Sequence, residues 1–275
     1  NSGQISYSWS QLGGDIDGQF GNNFLGTSVS LSSDGGRLAV GLPGLSKVRV
    51  FEWVSVTVTW TQLGADISST VVDGGFGNSV SLSADGARLI VGQPEKTGSG
   101  VAGSGHIKVL QYSTMSGTWD QICSQDGPSS IAASLAEGKS SDGFGQSVAM
   151  SSDGDAIAVS APYYRHPSSW AVGVVYTYRA EYGNSNQWNL DSGSPTGSNN
   201  HVMIDSFGTS IALSSDGTKL AIGASQHELI GADNGYVQIY ELEPGGATGW
   251  VQTGADIVGL DTGDQFGTSV ALSSN

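Results

Sequence analysis

Five side chains that could do chemistry crowd one short stretch: Tyr163, Tyr164, Arg165, His166 and Trp170. His227 and Glu228 occupy the corresponding stretch one period later. Rings flanked by a guanidinium and an imidazole can pack on and hydrogen-bond a protein or glycan ligand, so these seven are the candidate ligand-binding residues. Other chemistries find no support in spacing. His106, His166, His201 and His227 lie in separate repeats without zinc-ligand spacing. Gly98-Ser99-Gly100 is loop composition, not the elbow of a serine nucleophile. Nothing marks a carboxylate pair for glycoside hydrolysis. Asp73, Asp142, Asp205 and Asp264 each fall shortly before a Phe-Gly pair. They could ring an axis and hold a cation, but they read first as turn residues.

The elements that must position these groups come from a repeat. Phe207-Gly208-Thr209-Ser210-Ile211 opens its plainest copy, and others begin at Leu25-Gly26, Phe76-Gly77, Phe144-Gly145 and Phe266-Gly267. From Ser28 through Ser79, Ser147, Ser210 and Ser269 the steps are 51, 68, 63 and 59 residues. Trp9, Trp60, Trp119, Trp188 and Trp250 keep the same beat, and a residue recurring at one strand position in every copy reads as packing between repeats.

Within a copy, Val80-Ser81-Leu82-Ser83 and Arg88-Leu89-Ile90-Val91 are strand-like, and Ala84-Asp85-Gly86-Ala87 supplies the turn. Third strands are expected at 48–51, 106–110, 172–176 and 236–240, with the Trp segments as fourth strands. Four antiparallel strands per repeat describe the blade of a β-propeller, so the expected fold class is all-β, with four complete blades and partial blade strands at both termini. Helix-compatible residues 130–137 lie in an insertion.

Composition narrows the partners. Gly is 42 of 275 residues without a collagen period, as many tight turns require. The formal charge of −15, with no Lys/Arg cluster, opposes nucleic acid and anionic membrane and leaves cations, cationic surfaces or neutral glycans open. No run approaches the roughly 20 apolar residues of a membrane span. Cys123 is the single cysteine, so an intramolecular disulfide is excluded, and it reads as a small buried hydrophobe.

Trp9-Ser10-Gln11-Leu12-Gly13-Gly14-Asp15-Ile16 matches Trp60 through Ile67 and so reads as an outermost strand, whereas 266–275 reads as an innermost one. Joining the two ends would leave most of two strands missing. We therefore expect residues 1–275 to be a single propeller domain within a longer chain, the alternative being a blade completed by a neighbouring molecule.

The Phe-Gly-x-Ser starts, followed by Val40-Gly41-Leu42-Pro43, Val91-Gly92-Gln93-Pro94, Val159-Ser160-Ala161-Pro162 and Ile222-Gly223-Ala224-Ser225, resemble the FG-GAP repeat of integrin α-subunit propellers. The resemblance implies an extracellular recognition or adhesion module, seven-bladed in integrins. Integrin-like repeats often bind calcium in an Asp-rich loop between the first two strands; here that loop shrinks to Ser-Asp-Gly or Ala-Asp-Gly, too few oxygens for calcium. The resulting expectation is a non-enzymatic module that presents loops on one face to a protein or glycan, without metal or cofactor. A head-to-tail structural subunit is the alternative, and a carbohydrate-active enzyme a distant third.

Overall fold

The computed structural model describes residues 8–18, 21, 23–69, 74–95, 105–122, 142–164, 173–181, 184–197, 206–226, 234–243 and 249–274. They form a β-propeller of four antiparallel blades. Blade one holds β1 (Val29–Leu31), β2 (Arg37–Leu42), β3 (Lys47–Val54) and β4 (Thr59–Gln62), with the short β5 (Ile67–Ser68) also on β3. Blade two holds β6 (Ser79–Leu82), β7 (Arg88–Gln93), β8 (His106–Ser113) and β9 (Thr118–Gln121). Blade three holds β10 (Val148–Met150), β11 (Ala156–Ala161), β12 (Val174–Glu181) and β13 (Asn184–Leu190). Blade four holds β14 (Phe207–Leu213), β15 (Lys219–Ala224), β16 (Tyr236–Leu242) and β17 (Trp250–Gln252), with β18 (Ile257–Val258) on β16. Only a 3₁₀ turn, Pro43–Leu45, is helical among the described residues, and no helix there is long and apolar enough to cross a membrane. Residues 8–18 and 266–274 carry no strand, which corrects the expectations for the Trp9 segment and for the C-terminal innermost strand, and the predicted helix at 130–137 lies outside the described residues.

The Phe-Gly pair is a turn. In all five copies the residue before Phe or Leu has positive φ, and the Gly has φ between 87° and 92°. The N–H of the residue after Gly returns to the carbonyl three residues earlier, as from Asn78 to Gly75 at 2.9 Å and from Gln146 to Gly143 at 3.0 Å. Positive φ at the third position of such a turn is what only glycine adopts without strain.

That turn also joins the blades. Ser28, Ser79 and Ser210 donate their hydroxyls to Gly77 O, Gly145 O and Gly267 O of the next copy at 2.7–2.8 Å. A Cβ on Gly41, Gly92 or Gly223 would fall within 2.1 Å of the same carbonyls, so the second strand must carry glycine where the next turn presses on it. Blade three has Ser160 there, and its Ser147 instead accepts the Ile211 N–H at 3.3 Å.

At the other end of the innermost strands each Asp folds its own hairpin. Asp85 Oδ1 accepts Ser83 Oγ at 2.6 Å and the Ala87 N–H at 2.9 Å, and Asp34, Asp153 and Asp216 repeat the pattern. Beside these turns a chain of backbone bonds runs across the blades: Ser33 N–H to Ala84 O, Ala84 N–H to Ser152 O, and Ser152 N–H to Ser215 O, at 2.8–2.9 Å.

The cores fill the seams between blades. Leu89 and Val91 of β7 pack with Ala39, Val48 and Val50 of blade one, while Ile90, between them, packs with Val148, Ile157 and Val159 of blade three. Side chains alternate across a strand. A sheet buried on both faces thus reads as an unbroken apolar run, which is why the second strands lack alternation. Two of the repeated tryptophans pin their blade to the segment before it. Trp60 Nε1 donates to Leu12 O at 3.0 Å and Trp119 Nε1 to Leu63 O at 3.1 Å.

Candidate functional site

The loop-face end of the seam between blades two and three gathers polar groups out of water. Asp142 is only 9% exposed and leads through Gly143 into the Phe144 turn. Its carbonyl accepts the Tyr163 N–H at 3.2 Å, and Tyr163 covers Gly143 so closely that a Cβ there would stand 2.9 Å from the ring. Tyr164 is clipped in place by its N–H to Ala161 O at 3.1 Å and by the Gly173 N–H to its own carbonyl at 3.2 Å. Tyr176 of β12 lies beneath, its ring 5.9 Å from that of Phe144. Burial pushes the Tyr176 phenol far above its ordinary pKa, and the nearby Tyr164 and the Asp142 charge push the same way. It remains a proton donor at any physiological pH.

Blade two closes the other side. Gly105 bridges Phe144 in parallel, seating buried His106 beside the segment that carries Asp142. His106 pairs across the sheet with Gln93, which is fully buried and accepts the Ser69 hydroxyl at 2.9 Å. A shielded carboxylate with phenolic donors can grip vicinal hydroxyls, take a proton from water, and stabilise an oxyanion.

Of the seven sequence candidates, the structure brings Tyr163 and Tyr164 to this site, while Arg165, His166, Trp170, His227 and Glu228 lie outside the described residues. Of the four aspartates, Asp264 serves as a turn residue, accepting the Leu260 and Asp261 N–H groups at 3.0 and 2.9 Å. Asp73 and Asp205 lie outside the described residues. Reading Asp142 as a turn residue did not anticipate its burial near the Tyr176 phenol. Tyr176 was missed altogether, although one signal existed: equivalent third-strand positions hold polar Arg49, Lys108 and Gln238.

A second recess, of about 220 Å³, opens at the Asp-turn end of the axis. Serines and leucines such as Ser33, Ser152, Ser215, Leu31 and Leu272 line it, without one ionisable side chain, so it offers no acid or base. Among the described residues no three His, Cys, Asp or Glu side chains are placed to share a metal ion.

No family model and no curated protein matches the chain. Solved structures do resemble it. The periplasmic gluconolactonase PpgL of Pseudomonas aeruginosa aligns with a TM-score of 0.53 at 14% identity, over 86% of this chain and 58% of that one. A candidate 6-phosphogluconolactonase from Bacteroides uniformis gives 0.50 at 13% identity, over 84% and 54%. A protein from Lactobacillus plantarum gives 0.50 at 16%, also over 84% and 54%. The chain thus spans a little over half the length of these propellers, and at such identities the likeness defines the fold class, a β-propeller.

These likenesses overturn the expectation of a non-enzymatic adhesion module or head-to-tail structural subunit, because two of the three propellers are named as lactonases. The physical reason for the misreading is plain. The Phe-Gly motif specifies a turn and a seam, which any propeller can use, and carries no information about what the loop face does.

Proposed function

We propose that the chain is a propeller hydrolase acting on a small polyhydroxylated ester of the sugar-lactone class, with Asp142, Tyr164 and Tyr176 at its centre. The observation that carries this reading is Asp142, a residue only 9% exposed, held in the Phe144 turn close enough to the buried Tyr176 phenol for its charge to act on it; the lactonase names of the propellers above support it. In the reaction Asp142 takes a proton from water as the water oxygen bonds to the lactone carbonyl carbon. The carbonyl oxygen gains charge and draws on a phenolic donor. The ring C–O bond then breaks, its oxygen leaves with the proton held by Asp142, and the product is the open hydroxy acid. With a formal charge of −15 the protein favours a neutral lactone over a phosphorylated one. Tyr163, whose ring covers Gly143, would meet the substrate, and Arg165, His166, Trp170, His227 and Glu228 remain candidate ligand-binding residues by sequence.

The Phe-Gly repeat remains our basis for proposing FG-GAP-type ancestry of the blades, and an extracellular or periplasmic setting accords with the PpgL likeness. The test follows glucono-lactone opening by acid release. The wild-type chain should exceed the spontaneous rate, and Asp142→Asn should lose about 10²–10⁴-fold, the usual share of a general base. Folded wild-type protein that adds nothing to the spontaneous rate defeats the reading.

A further inference from the structure

The outer face of blade four is half of a seam. Between blades one and two, Ala39, Val48 and Ile67 on one side meet Phe76, Val80 and Leu82 of the following innermost strand, and Leu89, Val91 and Leu110 of the following second and third strands complete the core. On blade four the first two groups recur in register. Ala221, Val237 and Ile257 face Phe266, Val270 and Leu272 around a recess of about 500 Å³. The third group has no counterpart there. The effect on exposure is large: Ile257 is 50% exposed against 7% for Ile67, and Phe266 40% against 0% for Phe76. Among the described residues no strand hydrogen-bonds to 269–272, which carry the innermost-strand sequence without yet forming a strand, so their backbone edge is open beside the recess. An open edge next to an apolar groove is the geometry of strand addition.

We propose that this groove binds a β-hairpin of the chain's own second-and-third-strand type. Its first strand would pair with 269–272, and its second and fourth residues would fill the recess. The four internal examples define that chemistry: Arg-Leu-Ala-Val-Gly, Arg-Leu-Ile-Val-Gly, Ala-Ile-Ala-Val-Ser and Lys-Leu-Ala-Ile-Gly, all apolar at the second and fourth positions. A second copy of this chain is not the occupant. Every second and third strand of the copy is already held inside a sheet, and its segment 8–18 matches only a fourth strand.

The test titrates the 275-residue chain into a fluorescent peptide of residues 36–54, the compact hairpin of blade one, and reads anisotropy. Saturable one-to-one binding is expected, weakened at least tenfold when the peptide carries Leu38→Asp and Val40→Asp. Val270→Asp in the chain should weaken binding of the parent peptide similarly. Because the peptide variants leave the host untouched, a misfolded Val270→Asp host does not rescue the idea. Absence of saturable binding, or equal binding of the charged peptide, overturns it. So does light scattering that finds a dimer the peptide cannot dissociate, since the occupant would then be a second copy.

Discussion

Trp250 donates its indole N–H to Thr177 Oγ1 at 2.6 Å across the seam between blades three and four. Thr177 Oγ1 in turn donates a hydrogen bond to Asp191 Oδ2 at 2.9 Å, and Arg179 Nε stands 3.4 Å from the same carboxylate. Where Trp60 and Trp119 reach a backbone carbonyl, this one depends on a side chain. Thr177→Val keeps the shape but takes the acceptor from a buried N–H and one donor from a shielded carboxylate. We expect a loss of about 1–3 kcal/mol in chemical unfolding, with Ser at the same position recovering most of it.

Arginine bridging between blades offers a swap. Arg37, at the start of β2, donates to Gly86 O of the next turn at 3.2 Å, and Arg88 reaches Asp153 O and Asp155 in the same way. Blade three has Ala156 at that position, and its cross-strand partner Arg179 reaches Gly217 O instead. Arg179→Ala should cost about 1–2 kcal/mol, and adding Ala156→Arg should restore part of it. No recovery in the double variant would mean that the bridge cannot be rehoused.

Acid should act through Asp66. It accepts Arg49 Nε at 2.8 Å, Lys47 Nζ at 3.0 Å and Gln62 Nε2 at 3.1 Å. Arg49 above all, then Lys47 and Gln62, hold its pKa well below the carboxylate range against the opposing effect of burial. Unfolded, it titrates near a pKa of about 3.9. The stabilisation is therefore complete above that pH and fades as pH falls toward the lower folded value. Asp66→Asn should cost about 1–2 kcal/mol at pH 7, a deficit that shrinks steadily below about pH 4 in melts across pH. A constant deficit would contradict the pairing.

Alkali should act through tyrosine. Burial raises Tyr240 to about 12, and Tyr176 and Tyr178 beyond that. Their unfolded pKa is about 10, so the native state holds protons the unfolded state would release. Stability falls as pH rises past 10. Tyrosinate absorbance should rise in two stages, with these three ionising only as the fold is lost. A single smooth titration of every tyrosine before unfolding would refute their burial.

Much of this architecture is written locally. The strands predicted at Val80–Ser83 and Arg88–Val91 are β6 and β7 to within two residues, because Asp85 and Gly86 fix the hairpin between them. The fourth-strand motif is also self-contained: Gln11, Gln62 and Gln252 each bond the Asp four residues on, at 2.6–3.1 Å. What escaped was relational. The trade of Ala156 for Arg179 and the meeting of Asp142 with Tyr176 join residues 23 and 34 positions apart, on different elements, and only strand register brings them together. Residues 8–18 carry a fourth-strand sequence but form no strand, since a strand needs a neighbouring edge and not only a favourable pattern.

The backbone bonds running from Ser33 through Ala84 and Ser152 to Ser215 bear on how this molecule can change over time. Those junctions use main-chain atoms, so most substitutions leave them intact, and they sit at the opposite end from the long connections. Copies spaced by 51 or by 68 residues meet through the same contacts. Loop length and loop chemistry are therefore free to drift toward new specificities while the spacing between neighbouring blades stays constant.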